Sequence, residues 1–91
     1  MIIAVPKEIE SNETRVSTTP QSAAELIKAG YEVKIESNAG EKSFFYDRDY
    51  QAVNAEVINS KEILLKNADI ILKVTPPTLE EIKLMSKGAV C

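Results

Sequence analysis

Apolar and polar residues follow two different patterns in the first third of the chain. Residues 2–5 (IIAV) form a continuous apolar run that ends at Pro6, which is typical of a strand covered on both faces of a parallel sheet. Residues 31–36 (YEVKIE) alternate between apolar and polar, which predicts a strand with one face in water. We therefore expect one buried strand and one half-buried strand.

The residues between these strands predict a helix. Thr19 offers a hydroxyl to a free backbone N–H, and Pro20 has the fixed φ that suits a first helical turn. Gly30 stands where a left-handed residue would end the helix, so the helix is predicted to run to about residue 29. Its apolar side comprises Ala23, Ala24, Leu26 and Ile27. A strand, a helix and a strand in succession predict a βαβ unit with a right-handed crossover.

The second half of the chain continues this alternation. A loop over residues 37–47 is predicted to lead into a short helix over 49–53 and a strand over 55–58. A helix through about residue 66 should follow, and then an apolar strand over 69–74 that two prolines terminate.

Two helices in this half carry capping signals. Asn59 is predicted to cap the first, with Glu62 in the reciprocal position and Ile63 with Leu64 supplying an apolar contact. Thr78 and Glu81 have the capping-box spacing for the second. The predicted apolar face of this second helix comprises Leu79, Ile82 and Met85, and its predicted C-terminal cap is Gly88.

Alternating strands and helices of this kind predict an α/β fold. The predicted fold class is a parallel-sheet, Rossmann-like (flavodoxin-like) three-layer domain. The domain is expected to span residues 1–91 and to be truncated at its C-terminal end, because residues 89–91 resemble the first step of a further strand.

Composition narrows the possible functions. Of the 91 residues, 44% are hydrophobic and 27% charged, and the formal charge is −3, which is typical of a globular protein and offers no basic surface for nucleic acid. No apolar run reaches the roughly 20 residues that cross a bilayer, and no signal peptide is evident, so a cytoplasmic location is expected. The absence of histidine excludes imidazole catalysis within this chain. The single cysteine, Cys91, is predicted to be unreactive.

Candidate site residues follow the predicted strands, because α/β proteins place their sites at the carboxyl ends of strands. The candidate cleft-lining residues are Lys7, Glu8, Glu13, Arg15, Lys73 and Thr75. In one interpretation, Arg15 and Lys73 face a shared cleft and bind a carboxylate or phosphate. In the other, they are solvated loop charges or form ion pairs with Glu8 and Glu13. Spacing leaves both open and assigns no catalytic, cofactor-binding or metal-binding residue.

A dinucleotide fingerprint and a P-loop both need closely spaced glycines between a strand and a helix. The three glycines stand at positions 30, 40 and 88, so neither motif can form. Phe44, Phe45 and Tyr46 could stack on a base, but such a cluster more often covers the edge of a core.

The opening of the chain resembles a known family over more than 40 residues. IIAVPKEIESNETRVSTTPQSAAELIKAGYEVKIESNAGEKSFF is similar to the N-terminal domain shared by alanine dehydrogenases and transhydrogenase alpha subunits. PKE, NETRV, TP, KAGYEVKIE and an AG pair occur in the family's order and spacing. The resemblance continues through ADIILKVTPPTLEEI, so it covers the whole chain but only the early part of the family's domain.

One departure from the pattern distinguishes the two branches of this family. In alanine dehydrogenases the matching segment has a lysine that contacts the substrate carboxylate and acts in catalysis, but here that position is Thr75, which cannot carry a positive charge. A small polar residue there is typical of the proton-translocating transhydrogenase alpha subunit. Arg15 matches the arginine that binds substrate in alanine dehydrogenases. Asn54 stands where the family often has glycine, and both tolerate a positive φ.

The resemblance implies hydride transfer between NAD(H) and NADP(H), coupled to proton translocation. It implies NAD(H) on the full alpha subunit, at residues beyond this chain, and NADP(H) on the partner subunit. No cofactor is expected on this chain alone, which is predicted to be inactive as an isolated fragment.

The implied partners are the remainder of the alpha subunit, the beta subunit and a second copy of the soluble part. Membrane contact is expected only through other segments, at the cytoplasmic side of the inner membrane. Two alternatives stay open: a fragment of an alanine or saccharopine dehydrogenase, and a noncatalytic remnant or partner-binding module.

Overall fold

The computed structural model describes residues 1–10, 13–85 and 88–90, so Cys91 and its predicted inertness lie outside the described residues. Strands and helices alternate along the chain. In order they are β1 (Ile2–Val5), α1 (Pro20–Lys28), β2 (Glu32–Glu36), a 3₁₀ turn (Glu41–Ser43), α2 (Asp47–Ala52), β3 (Glu56–Ile58), α3 (Lys61–Lys66), β4 (Ile70–Ile71) and α4 (Leu79–Leu84). None of these helices is long and apolar enough to cross a bilayer.

The four strands form one sheet in the order β3-β2-β1-β4, and every pair is parallel. β1 is central, as its continuous apolar run predicts. Val90 forms a further parallel bridge with Ile70 on the outer side of β4. This is the order of the first strands of a Rossmann sheet, and it confirms the predicted fold class.

Helices cover both faces of the sheet, which makes three layers. Against one face, α1 and α2 enclose a cluster formed by Val5, Ala23, Val33, Ile35, Tyr50 and Ala55. Against the other, α3 packs with α4 over a cluster formed by Ala4, Leu64, Leu65, Ala68 and Ile71.

The local signals for α1 are confirmed. The Thr19 hydroxyl accepts a hydrogen bond from the Ser22 N–H at 3.1 Å, and Pro20 is the first helical residue. Gly30 follows the helix with a φ of +104°, the left-handed conformation that glycine adopts without strain. Asn54 has a φ of +71°, as its match to a family glycine predicts.

The cap of α3 lies one residue later than predicted. Ser60, not Asn59, is the N-cap, and its hydroxyl accepts a hydrogen bond from the Ile63 N–H at 3.3 Å. Leu64 and Leu65 are the buried residues of this helix, whereas Ile63, which was predicted to supply an apolar contact with Leu64, is 56% exposed.

Strand β4 is shorter than the predicted residues 69–74. The Leu72 N–H still pairs with the Ala4 carbonyl, but beyond it the backbone turns away from β1. The N–H groups of Val74 and Thr75 bond to the Glu8 side chain instead of to a strand. A buried carboxylate has replaced the end of the strand ladder.

Helix α4 confirms its predicted capping box, but of its predicted apolar face only Met85 packs against the core, together with Leu84. Thr78 accepts from the Glu81 N–H, and Glu81 accepts from the Thr78 N–H. Glu81 is nevertheless buried at 1% exposure, whereas Leu79 and Ile82 are 77% and 50% exposed. The helix ends at Leu84 with Met85 extended, so Gly88 is not its cap.

Candidate functional site

The carboxyl ends of β1 and β4 lie side by side at the centre of the sheet. From β1 the connection leads to β2 on one side, while β4 lies on the other, so the two loops diverge at this point. Such a divergence is where open α/β sheets place their ligands. Lys7 and Glu8 follow β1 here, and Lys73 and Thr75 follow β4.

Glu8 joins these two loops. Its carboxylate accepts hydrogen bonds from the Thr75 hydroxyl at 2.6 Å, from the Thr75 N–H at 3.1 Å and from the Val74 N–H at 3.0 Å. The Lys73 ammonium lies 3.3 Å away. Burial by itself raises the pKa of Glu8, but the Thr75 and Val74 hydrogen bonds and the Lys73 charge outweigh it and lower the pKa below 4.5.

Glu81 joins the same point from helix α4. Its carboxylate lies 2.9 Å from the Lys61 ammonium and 3.4 Å from the Lys73 ammonium, and it accepts from the Thr78 N–H at 2.9 Å. Burial alone raises its pKa, but the Thr78 N–H and the two ammonium groups together lower it. Glu81 is therefore both a helix cap and the counter-ion of two lysines.

Lys61 extends the cluster toward β2. It donates to the Lys7 carbonyl at 3.0 Å and lies 3.7 Å from the Glu36 carboxylate, which accepts from the Lys7 N–H at 2.9 Å. Lys7 thus contributes its backbone. We call the five charged side chains the switch-point network: Glu8, Glu36, Lys61, Lys73 and Glu81.

The switch-point network is saturated with partners. Three carboxylates face two ammonium groups, and the side chains of Glu8, Lys73 and Glu81 are at most 4% exposed. Among the described residues, every buried side-chain nitrogen or oxygen has a hydrogen-bond partner. The network is therefore built to fix the two loops relative to each other.

The other two candidates form a separate pair. Arg15 binds the Glu13 carboxylate through two hydrogen bonds of 2.9 Å, and its side chain is 74% exposed. The hydrogen bonds from Arg15 lower the pKa of Glu13 to about 2. Lys73 pairs with Glu8 and Glu81, so the structure shows the ion pairing of the second interpretation. A ligand-binding role for the candidate residues stays a prediction.

A groove of about 330 Å³ runs along residues 71–77, beside the network. Its wall carries Lys73 and Thr75, but the ammonium and the hydroxyl of these residues are held by Glu8 and Glu81. A second cavity of about 330 Å³ lies at the amino ends of β2 and β3, and no residue of the switch-point network lines it. Of these two cavities, the groove is the one that adjoins the candidate site.

The aromatic cluster divides between core and surface. Phe45 packs against the core on the α1 side, as the core-covering interpretation predicts. Phe44 is 78% exposed, and the Tyr46 ring lies 4.9 Å from the Arg48 guanidinium carbon. A base-stacking role for the exposed rings stays a prediction.

Sequence reasoning missed three members of the network. Lys61 and Glu36 carried no motif, and Glu81 was visible only as a capping residue. Twenty positions separate Lys61 from Glu81, so only the fold brings them together. Within residues 1–10, 13–85 and 88–90, no three carboxylate, histidine or cysteine groups are arranged to hold a metal ion.

Comparison with known proteins points to one family. A family model described as "Alanine dehydrogenase/PNT, N-terminal domain" matches residues 4–91. An alanine dehydrogenase from Mycolicibacterium smegmatis is 42% identical over 88 residues, which make up 97% of this chain and 24% of that protein. An NAD(P) transhydrogenase subunit alpha from Haemophilus influenzae is also 42% identical, over 89 residues, 98% of this chain and 17% of that protein.

Two solved structures have the same fold. An L-alanine dehydrogenase matches with a TM-score of 0.87 and 39% identity, over 93% of this chain and 23% of its own. A transhydrogenase from Sinorhizobium meliloti matches with a TM-score of 0.92 and 35% identity, over 98% of this chain and 26% of its own. The chain therefore spans about a quarter or less of these relatives.

Proposed function

The chain belongs to the family of alanine dehydrogenase/PNT N-terminal domains, and on that premise we propose that it is the first part of the NAD(H)-binding alpha subunit of a proton-translocating NAD(P) transhydrogenase. The complete enzyme would transfer hydride between NAD(H) and NADP(H) and couple that transfer to proton translocation. This chain would supply the part of the scaffold that carries the switch-point network.

The proposal includes the partners that such an enzyme requires. The remainder of the alpha subunit would hold NAD(H), and a beta subunit would hold NADP(H). The soluble parts of two alpha subunits would pair at the cytoplasmic side of the inner membrane. Within this assembly the 91 residues would form an incomplete domain.

The threonine at position 75 is the observation that favours a transhydrogenase over an alanine dehydrogenase. The position that holds a catalytic lysine in alanine dehydrogenases is Thr75, whose hydroxyl is 2.6 Å from Glu8. A threonine has no ammonium group to bind a substrate carboxylate or to exchange a proton near neutral pH. Overall identity to both kinds of relative is 42%, so similarity does not separate them, and the threonine at position 75 is what supports the transhydrogenase.

The described residues do not by themselves fit a dinucleotide. Pyrophosphate binding needs backbone N–H groups that a ligand can approach closely, usually at glycines before a helix. The loop before α1 has no glycine, and α1 begins at Pro20, which has no N–H. Gly40 precedes α2, but the Tyr50 hydroxyl and the Phe45 carbonyl fill the space beside it. We therefore derive no reaction step on a cofactor.

Two chimeric proteins would test the proposal. In one, this chain replaces the matching first part of the Haemophilus influenzae alpha subunit, which is then expressed with its own beta subunit. In the other, it replaces the matching part of the Mycolicibacterium smegmatis alanine dehydrogenase. We expect NADH-dependent reduction of an NADP analogue by the first, and alanine oxidation at least about 100-fold slower than the parent by the second.

A matched variant isolates the role of residue 75. Thr75→Lys in the alanine dehydrogenase chimera should raise alanine oxidation at least about tenfold, while NADH binding measured by fluorescence stays the same. Rapid alanine oxidation by the chimera with Thr75, together with an inactive transhydrogenase chimera, would overturn the proposal in favour of an alanine dehydrogenase.

The 91-residue chain alone provides a simpler test. Because its described residues offer no pyrophosphate site, we expect it to bind NADH no more tightly than millimolar and to reduce no NADP analogue. Micromolar binding in a calorimetric titration would show that these residues hold the cofactor unaided.

A further inference from the structure

The hydrogen bonds between β1 and β4 stop at a proline. In a parallel pair, each bonded residue of one strand donates to one residue of its neighbour and accepts from the residue two positions further on. The Leu72 N–H donates to the Ala4 carbonyl, so the next bond would run from the N–H of residue 6 to the Leu72 carbonyl. Residue 6 is Pro6, which has no N–H. The Leu72 carbonyl therefore needs a donor from outside the strand pair.

Ser17 supplies that donor. Its hydroxyl donates to the Leu72 carbonyl at 2.8 Å, although the two residues are 55 positions apart. Further along the same chain, the N–H groups of Val74 and Thr75 donate to the Glu8 carboxylate. The loop that follows β1 thus completes the end of β4 at two points, Ser17 and Glu8.

The segment that carries Arg15 is held from two other elements as well. The Ser43 hydroxyl, on the turn after β2, donates to the Thr14 carbonyl. The Tyr50 hydroxyl, on α2, donates to the Thr18 carbonyl at 2.8 Å. Hydroxyl groups from three sources therefore fix this backbone segment, even though the Arg15 side chain is largely exposed.

The fixed segment and the end of β4 border the switch point, where open α/β sheets bind their ligands. We propose that Ser17 is a positioning residue for hydride transfer, because its bond to the Leu72 carbonyl sets the separation between the loop that carries Arg15 and the loop that carries Thr75. The inference rests on the proposed function. Ser17 contacts no reacting atom in this role and acts through the two loops that it joins.

The physical reason is the strict geometry of the reaction. Reacting atoms must lie about 3–3.5 Å apart in the correct orientation, and a misplacement of about 1 Å slows a reaction strongly. A loop that borders the ligand site can cause such a misplacement when its attachment to the sheet is lost. The expected defect is therefore in the rate of the bound complex and not in its affinity.

The test replaces Ser17 in the transhydrogenase chimera described above. Ser17→Ala should lower kcat for NADH-dependent reduction of the NADP analogue about tenfold, while the KM for NADH stays within about twofold. Ser17→Thr keeps the hydroxyl and should retain kcat to within about twofold. If the alanine variant fails to fold, Ser17→Cys, whose S–H is a weak donor, provides a milder form of the same change.

Asp69→Ala is the matched control. The Asp69 carboxylate accepts a hydrogen bond from the Ile2 N–H at 2.7 Å, and so completes the same strand pair at its opposite, amino edge. Each alanine variant removes one hydrogen bond between a side chain and this pair, so each should lower the thermal unfolding midpoint of the 91-residue chain by up to about 8 °C. Only Ser17→Ala should lower kcat, and only Ser17→Ala should speed hydrogen exchange at residues 13–18.

The outcomes separate this inference from the proposed function. Equal losses of kcat for Ser17→Ala and Asp69→Ala would overturn the positioning role, because the rate would then follow stability alone. An unchanged kcat, or a loss confined to KM, would overturn it as well. If the unsubstituted transhydrogenase chimera transfers no hydride, the proposed function fails, and the same variants in the alanine dehydrogenase chimera, measured by alanine oxidation, decide the role of Ser17.

Discussion

The two faces of the sheet are closed in different ways. On the α1 and α2 face, apolar side chains fill the core, and the buried Tyr50 hydroxyl donates to the Thr18 carbonyl at 2.8 Å. On the α3 and α4 face, an apolar cluster covers the middle of the strands, but their carboxyl ends are covered by the switch-point network. Apolar packing therefore holds the first face together, whereas ion pairs hold the carboxyl ends of the strands on the second.

This difference has an energetic meaning. When a side chain in an apolar core is shortened, the free energy of unfolding falls roughly in proportion to the volume of the cavity that is left. A buried ion network adds little while it is complete, but it becomes strongly destabilising when one member is removed and its partners stay buried. We therefore expect the charged face to be the more sensitive one.

The largest effect should come from Glu81→Ala. The change removes the carboxylate that pairs with Lys61 and Lys73 and that accepts the hydrogen bond of the Thr78 N–H. The free energy of unfolding in urea should therefore fall by about 3–5 kcal/mol. Glu81→Gln keeps a cap acceptor without the charge and should lose less.

The neighbouring residue is the control for that change. Glu80 is exposed on the same helix, so Glu80→Ala should stay within about 0.5 kcal/mol of the unsubstituted chain. Equal losses for the two alanine variants would mean that the charged face is no more sensitive than the surface.

A smaller effect is expected from Gly40→Ala on the apolar face. The new methyl group would lie 2.7 Å from the Tyr50 hydroxyl and 2.8 Å from the Phe45 carbonyl, so the expected loss is about 1–3 kcal/mol. Tyr50→Phe removes the first clash and not the second, and a double-mutant cycle in urea should therefore recover only part of the loss. Full additivity in that cycle would contradict the packing explanation.

A gradual effect should appear on acidification. Glu8 and Glu81 have folded-state pKa values below their unfolded value of 4.5, so the unfolded chain binds more protons in acid. Their contribution to stability is present above about pH 4.5 and is lost as the pH falls through the folded pKa values. Urea midpoints measured from neutral to acid pH should drop less steeply for Glu8→Gln than for the unsubstituted chain. Glu10→Gln, at an exposed position in the same loop, should leave the slope unchanged.

The smallest effect should come from Arg15→Ala. Its pair with Glu13 is solvent-exposed on the arginine side, and exposed pairs add little to stability. The urea midpoint should stay within measurement error in low salt and in high salt. A clear loss would show that Arg15 has a structural role comparable to that of Lys73.

Local signals predicted the elements better than they predicted which side of each faces inward. The β1 run, the Thr19 cap of α1 and the capping box of α4 depend on neighbouring residues, and each is confirmed. For α4, however, hydrophobic periodicity identifies an apolar side without showing where it points. Met85 packs on the core, but Leu79 and Ile82 are exposed, and Glu81 is buried.

The site was predictable only in part, for the same reason. The strand-end rule placed Glu8, Lys73 and Thr75 at one edge of the sheet, and they meet there. Lys61 and Glu36 join them through pairings that no spacing rule predicts, because only the complete fold brings residues so far apart in the sequence into contact. Arg15 lies in the same loop as Glu8, but its guanidinium pairs with Glu13, two residues away, and not with Glu8.

The large sequence separation between Glu8 and its partners also bears on folding during synthesis. Its backbone partners, Val74 and Thr75, follow it by 66 and 67 positions, and β1 lacks its β4 neighbour until those residues exist. At about 5–20 residues per second a ribosome needs about 3–13 s to synthesise that stretch. Of the four strands, β1 is synthesised before the others and acquires its second neighbour last, so chaperones that bind nascent chains have a long opportunity at residues 2–5.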